Sequence, residues 1–426
     1  MNITGIKGMN DILPGEVATW HFLEQQAQRI FQCYGFGEIR VPVVEKTELF
    51  CRSIGETTDI VEKEMYTFDD RSGNSLTLRP EGTAPVMRAF IEHKLYNQDS
   101  VAKLYYQGPM FRYERPQKGR YRQFHQIGAE VIGVDDPKID AQVLAMLSHY
   151  FEAVGIHDVA LHINSLGCRE CRPAYREALI DYLQERLGEL CSDCRRRSQT
   201  NPLRVLDCKV PACQEATALA PSMLEHLCPA CETHFSQVKN YLQELNLPFV
   251  VNARMVRGLD YYSKTTFEMV TNSLGSQNAV AAGGRYDGLI GDLGGPALPG
   301  IGFAMGVERL VLMKKTESLP TRRLPLFLAV MGQAASDRAF LLMASLLKQG
   351  LPVEMEYAGK SLKAQMRRAA KFGARHVLIL GEEELFRQVA VLRDMDQGSQ
   401  QELSLAGIDT RLLQICREEP NGPTAD

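Results

Sequence analysis

Between Phe111 and Phe124 the chain sets Arg112, Arg115, Arg120 and Arg122 beside Lys118, with Tyr113, Tyr121 and Phe124 interleaved. That much charge does not belong in a core, and that many rings do not belong on a plain hydrated face. Arginine forks pair with phosphate oxygens two at a time and also stack on aromatic planes. The segment therefore suits a site that holds a polyphosphate next to a flat ring. Gly119 permits a tight loop between two strands here.

Four further segments carry site-like chemistry. Leu78-Arg79-Pro80-Glu81-Gly82-Thr83 offers a carboxylate, a glycine and a hydroxyl in three successive positions, a set that can hold an ammonium group. Taken alone it reads equally as a helix N-terminus with an acidic first turn. Arg257-Gly258-Leu259-Asp260-Tyr261-Tyr262 could line a polar pocket or enter a strand through a turn. Gly283-Gly284-Arg285-Tyr286-Asp287-Gly288 brings backbone close to something flat or charged, or is a turn. Gly300 to Gly306, followed by Val307-Glu308-Arg309-Leu310, superficially resembles a dinucleotide fingerprint. Its spacing is off by one, and residues 320–328 supply no acid for a ribose. A glycine-rich strand that leads into a helix, with Arg309 free to stack on a base, describes it better.

Cysteines form a separate constellation. Cys168/Cys171, Cys191/Cys194 and Cys228/Cys231 are spaced alike, and Cys208 and Cys213 make a wider pair. In a chain expected to be cytoplasmic such pairs point to structural zinc rather than disulfides. The first choice of ligands is Cys191, Cys194, Cys228 and Cys231, with Cys208 and Cys213 as alternates. Inert buried thiols are the other reading.

The elements that must position these residues follow from periodicity. A helix is predicted from Trp20 to Tyr34, closed by Gly35. Strands are predicted at Glu38–Val43, Ser75–Leu78, Leu104–Gly108, Gln126–Ile132, Val159–Ile163, Thr266–Val270 and Ile301–Met305. Pro42 falls inside the first of these, so that strand belongs at an edge, bulge or interface. The short connections argue for a mostly antiparallel sheet with helices packed on it. From Cys168 to about Asn246 helical patterns take over. Beyond Leu324 strands and helices alternate (326–331, 335–349, 353–356, 362–372 and 376–380), which reads as a small α/β domain with parallel strands. Lys314–Arg323 is the expected linker, and the residues from Glu418 on are an expected tail.

Composition bounds the rest. The chain has 426 residues with 45% hydrophobic and 23% charged residues, room for two or three domains of ordinary globular make-up. No apolar run is long enough to span a bilayer, and none near Met1 has the length of a signal peptide. The net charge of −4 is not that of a polycation, and no DNA partner is expected. Nucleic-acid contact must come from local basic patches: 112–122, Arg195-Arg196-Arg197 and Lys360–Arg375.

In order and residue type together, these segments resemble the histidyl-tRNA synthetase family of class II aminoacyl-tRNA synthetases over essentially the whole chain. Glu38–Pro42 resembles motif 1 of the class, 111–130 motif 2 and Gly302–Leu310 motif 3. Arg257–Tyr262 and Gly283–Gly288 resemble the two boxes peculiar to the histidine enzyme. Ala282 departs from a third glycine found in many members. The resemblance implies an α+β fold: a discontinuous class II catalytic domain (1–167 and 247–320), a Cys-rich helical insertion (168–246), an α/β anticodon-binding domain (324–420) and a flexible end (421–426). A homodimer is implied, with the motif 1 proline at its interface.

It also implies the chemistry. Histidine and ATP, the latter with Mg2+, give histidyl-adenylate and pyrophosphate, and the acyl group passes to the 3′ end of tRNA(His). Arg112 and Arg257 then approach the α-phosphate from two sides as the catalytic pair. Glu114 faces the adenine amino group, Phe124 and Arg309 sandwich the ring, and Arg120 and Tyr121 complete the ATP site. Glu81, Gly82, Thr83 and Gln126 surround the substrate ammonium, while Glu130 and Tyr262, with Tyr261 beside them, read the imidazole. Gln117 and Arg122 touch the tRNA acceptor end. Two rivals share the scaffold: a non-catalytic synthetase-like subunit that regulates histidine biosynthesis, and a zinc-dependent RNA-binding protein without chemistry.

Overall fold

In the computed structural model, which describes residues 3–55, 58–274, 278–314 and 323–418, the longest strands are the hairpin partners Ala102–Phe111 and Gln123–Ile132. They sit inside an eight-stranded sheet. In spatial order its strands are Gly37–Glu38, Ala102–Phe111, Gln123–Ile132, Gly300–Gly306, Ala279–Arg285, Ser263–Val270, Ala160–Ser165 and Phe249–Val251. The six inner strands pair antiparallel, as expected; only the two outermost pairings are parallel.

Helix Pro14–Cys33 covers one face of the sheet, burying Leu23, Ala27 and Phe31. It starts six residues before the predicted Trp20 because Pro14, with φ already fixed for a helix, occupies its first turn. Gly35 at φ +82° closes it. Phe31 meets Tyr105 and Phe303 edge-on, at ring-centroid distances of 5.7 and 5.9 Å, and so welds the helix to two strands. Helix Pro137–Ala153 packs into the same core.

The strand predicted over Glu38–Val43 is shorter than expected. Only Gly37–Glu38 joins the large sheet, and Val44–Lys46 starts a separate three-stranded sheet with Ser75–Leu78 and Tyr66–Asp69. Pro42 has no N–H to give a ladder. The carbonyl of Val41 is satisfied instead by the Arg79 guanidinium at 3.0 Å.

The cysteine-rich stretch is helical: Arg172–Gln184, Ser192–Thr200, Pro211–Ala216 and Pro229–Glu244. It has its own small core around Tyr175, Leu179, Leu183 and Val205. Its last helix nevertheless gives Phe235, Val238 and Leu242 to the main core. The grouping of Cys191 and Cys194 with Cys228 and Cys231 is not what forms. Cys228 and Cys231 meet Cys168 and Cys171, whereas Cys191 and Cys194 meet the alternates Cys208 and Cys213. Cys228 opens the helix that docks on the main core, close to where the chain enters helix Arg172–Gln184, and Cys191 opens a different helix.

The chain divides into two compact units, Met1–Thr316 and Glu317–Asp426. The second holds a five-stranded sheet ordered Val353–Met355, Leu326–Val330, His376–Leu380, Val389–Asp394 and Gln400–Ser404. Its first three strands are parallel, as predicted, but the last two are an unpredicted antiparallel hairpin. The second strand of that hairpin, Gln400–Ser404, is exposed except at Leu403 and so carries no apolar alternation. Residues 315–322 of the expected linker and 419–426 of the expected tail lie outside the described residues. Among the described residues no helix is long and apolar enough to cross a membrane.

Candidate active site

The hairpin delivers the first half of the site. Past Phe111 its strands splay into a loop whose turn is made by Gly119 at φ +73°. Arg112 leaves the strand end, donates from Nε to the Pro80 carbonyl at 2.8 Å, and lies over the Phe124 ring at 5.3 Å. Burial lowers its pKa, while the carboxylates of Glu64 and Glu81 favour its charge. Glu114 is buried and ion-paired to Arg120.

Glu81 answers both readings of its segment. Its carboxylate accepts from the backbone N–H groups of Thr83 (2.7 Å) and Ala84 (2.8 Å), capping helix Thr83–Glu92, and it also lines the cavity. Gly82 is needed for space, since a Cβ there would stand 2.1 Å from the Tyr106 ring.

The second half comes from residues 257–262. Arg257 is ion-paired to Glu268 and sits over the Tyr262 ring at 5.3 Å; Tyr261 lies beside Tyr262 at 4.7 Å. Burial opposes the Arg257 charge, but Glu268 and the tyrosine hydroxyls together hold its pKa above the ordinary value. Arg309, at the start of helix Val307–Met313, is anchored on the carbonyls of Gly119 and Ala279.

All of this opens into one cavity of about 390 Å³. Its walls bring together Glu81, Thr83, Arg112, Glu114, Arg120, Tyr121, Phe124, Gln126, Arg257, Tyr261, Tyr262 and Arg309, from segments far apart in sequence. Gly306, Ala304 and Ala282 leave one wall low enough for a flat ligand to lie on. Arg257 Nε and Gln126 Oε1 are shielded from solvent and meet no partner among the described residues. The lining combines the Glu81 carboxylate with the guanidinium groups of Arg112, Arg120, Arg257 and Arg309. A ligand that carries both an ammonium group and phosphates fits that chemistry.

Four of the expected residues are not part of the wall: Gly82, packed against the Tyr106 ring, and three others. Gln117 is exposed on the loop. Arg122 turns away, stacked on Tyr113 at 4.2 Å and bonded to the carbonyl of Glu114 at 3.2 Å. Glu130 is completely buried behind the cavity, accepting from Thr83 Oγ1 (2.7 Å) and Tyr286 Oη (2.6 Å). Gly302 makes room for it: a Cβ there would come 1.8 Å from its carboxylate. Arg285 likewise faces the core, where it is paired with Asp140. Among the wall residues given no role from sequence are Glu268 and Asp207. Glu268 is the one acid of strand Ser263–Val270, on the face opposite the core residues Phe267 and Met269, and that placement was the available signal. Asp207 arrives from the cysteine-rich stretch, for which nothing local could have spoken.

Burial pushes the Glu130 carboxyl up to about 8, against the hydrogen bonds from Tyr286 and Thr83, with Glu81 adding to the rise. The folded protein therefore holds a proton that the unfolded chain, with a value near 4.5, gives up. The stability this confers is complete below the unfolded value and is lost as pH climbs through the folded one. Unfolding measured from about pH 5 to about pH 8 should show this loss, with a slope approaching one proton, or ~1.4 kcal/mol per pH unit. Glu130→Gln keeps the shape and stays neutral, so it should flatten that slope. Parallel profiles for the two proteins would contradict the assignment.

The family model described as "Histidyl-tRNA synthetase" matches residues 8–310, and the "Anticodon binding domain" model matches residues 326–415. A histidine–tRNA ligase of Syntrophotalea carbinolica is 72% identical over 417 residues, covering 98% of this chain and 100% of that protein. The Geobacter sulfurreducens histidine–tRNA ligase is 64% identical over 403 residues, covering 95% and 97%. The crystal structure of apo S. aureus histidyl-tRNA synthetase superposes with a TM-score of 0.82 at 36% identity, covering 96% of this chain and 100% of that one. The fold, the paired domains and the similarity over the full length together place the chain in the histidyl-tRNA synthetase family.

Proposed function

We propose that the chain joins L-histidine to tRNA(His) in two steps, through histidyl-adenylate. The observation that carries the site assignment is that Arg112 and Arg257, 145 positions apart in the sequence, line one cavity together with Glu81 and the Tyr261/Tyr262 pair. ATP would enter as its Mg2+ complex, and the ion would supply charge neutralisation for the phosphates. A carboxylate oxygen of histidine forms a bond to the α-phosphorus, the bond to the β-phosphate oxygen breaks, and pyrophosphate leaves with the electron pair. This step needs positioning and charge stabilisation, not a protein nucleophile. The two guanidinium groups stabilise charge on the α-phosphate oxygens from opposite sides. Arg309 and Phe124 hold the adenine ring, with Glu114, Arg120 and Tyr121 around it. Glu81, Thr83 and Gln126 hold the ammonium group. Tyr262 meets the imidazole directly, and Glu130 acts on it through Thr83 and Tyr286.

In the second step the 3′ end of the tRNA approaches across the loop that carries Gln117 and Arg122. The anticodon stem binds the C-terminal unit. The exposed Lys363, Arg367 and Lys371 of helix Leu362–Lys371 support this by offering charge to phosphates. The enzyme works as a cytoplasmic homodimer with the Pro42 segment at the interface. A non-catalytic regulatory subunit is disfavoured by the presence of Arg112, Arg257 and Arg309 and of the C-terminal unit. The test is ATP–pyrophosphate exchange, followed by charging of a tRNA(His) transcript. Exchange should depend on histidine and not on the other amino acids. Folded protein that binds histidine yet supports no exchange would overturn the reading.

A further inference from the structure

The geometry points to two separate tetrahedral zinc sites that clamp the 257–262 segment from both ends. The first is Cys168, Cys171, Cys228 and Cys231, and the second is Cys191, Cys194, Cys208 and Cys213; within each set all four sulfurs lie within 4.8 Å of one another. Zinc–sulfur bonds of ~2.3 Å in a tetrahedron place sulfurs ~3.8 Å apart. The observed Sγ separations of 3.5 Å (Cys168–Cys171), 3.9 Å (Cys168–Cys228) and 4.0 Å (Cys191–Cys208) bracket that value and are far longer than a disulfide bond. Each set joins two buried thiols to two half-buried ones. Backbone N–H groups already aim at the sulfurs: Cys228 N at Cys171 Sγ (3.1 Å) and Cys191 N at Cys213 Sγ (3.2 Å). Such outer hydrogen bonds orient metal thiolates. Each Zn2+ takes four thiolates and releases four protons to solvent. Four sulfurs without oxygen or imidazole favour zinc over magnesium or calcium.

The clamp lies in what the two sites hold in place. Arg172 follows Cys171 and donates to the carbonyl of Tyr262. On the other side, Cys194 lies in helix Ser192–Thr200, which runs into the turn 202–205. From that stretch Asn201 donates to Asp260 at 3.0 Å and Arg204 donates to the carbonyl of Arg257 at 3.4 Å. Arg197 and Arg204 also share Asp59. The segment that carries Arg257 and Tyr262 is therefore gripped at its first residue from one cysteine site and at its last from the other. This part of the inference rests on the proposed function, because it gives the sites a positioning role for that reaction.

Untagged full-length protein, exchanged through a chelator and analysed for metals, should carry two zinc ions per chain. Cys208→Ser and Cys228→Ser should each lose one. Wild-type protein with no stoichiometric zinc overturns the proposal, and so does a folded single variant that loses both ions. Should the variants fail to fold, Co2+ titration of metal-stripped wild type decides: two equivalents with thiolate charge-transfer bands are expected, and their absence overturns the sites. The clamp is read by hydrogen exchange. Zinc removal should deprotect peptides spanning 257–262 while strand Gly300–Gly306 stays protected, and exchange activity should fall ~10²-fold, as for a small misplacement of catalytic groups. Unchanged protection of 257–262 overturns the clamp. A chain with two zinc ions and a protected segment but no histidine-dependent exchange would instead count against the synthetase assignment alone.

Discussion

Arg257→Ala is expected to lower histidine-dependent ATP–pyrophosphate exchange by ~10²–10³-fold, the loss typical when one preorganised donor is taken from a developing negative charge. The wild-type guanidinium is held ready between the Glu268 carboxylate and the Tyr262 ring, so little reorganisation precedes the reaction. An interaction made only in the transition state lowers kcat and kcat/KM together. Single-turnover formation of adenylate should therefore slow while the dissociation constants of histidine and ATP change little. Arg257→Lys should rescue only in part. An ammonium is a point charge and cannot serve Glu268 and a phosphate oxygen with a rigid fork. Stability should fall modestly, because Glu268 loses its partner at a site that is still part-exposed. A folded Arg257→Ala protein with an unchanged rate would remove Arg257 from the mechanism.

Parts of this site could be read from the chain, and the reason differs residue by residue. Local pattern gave the two hairpin strands, but the expected Leu104–Gly108 and Gln126–Ile132 stop three residues short of the observed ends at Phe111 and Gln123. Gly108-Pro109 and Gln123-Phe124-His125, polar on either side of its ring, lack strand propensity as runs. Glu81 was ambiguous for a sound reason: the same carboxylate caps a helix and faces the cavity. The cysteine spacing identified pairs but not which pairs meet, since that is decided by where the helix following Cys228 docks. Strand Ala279–Arg285 was hidden because its glycines and alanines carry no strand propensity. Tertiary fit demands them: a Cβ on Gly283 would come 2.2 Å from the Gly302 carbonyl. Arg285 was the most misleading residue. It stands in a box that reads as a pocket, yet its charge answers an aspartate 145 positions earlier.

That buried pair carries the second large effect. Arg285 and Asp140 are both completely buried, joined by Nε to the two carboxylate oxygens at 2.8 and 3.0 Å and by Nη2 to Oδ1 at 2.6 Å. The same guanidinium also donates to the carbonyls of Val134 (3.0 Å) and Asp136 (3.2 Å), so it ties the loop before helix Pro137–Ala153 to the sheet. Arg285→Ala should cost ~3–5 kcal/mol, because it leaves the buried Asp140 carboxylate without its guanidinium partner. Arg285→Met combined with Asp140→Leu should recover most of that loss, since the cost lies in the orphaned charge and not in a missing attraction. The pH dependence supplies a further check. His234 Nε2 lies 3.6 Å from Asp140, and burial, helped by the charge of Arg285, holds its pKa low in spite of that carboxylate. Without Arg285, Asp140 should raise it. A raised histidine stabilises the fold below its unfolded pKa, and that stability is lost as pH climbs through the folded value. The stability deficit of Arg285→Ala should thus be smaller at about pH 6 than at about pH 8. Denaturant unfolding at the two pH values measures this, and a deficit that grows toward acid would show that Asp140 is not the charge Arg285 answers.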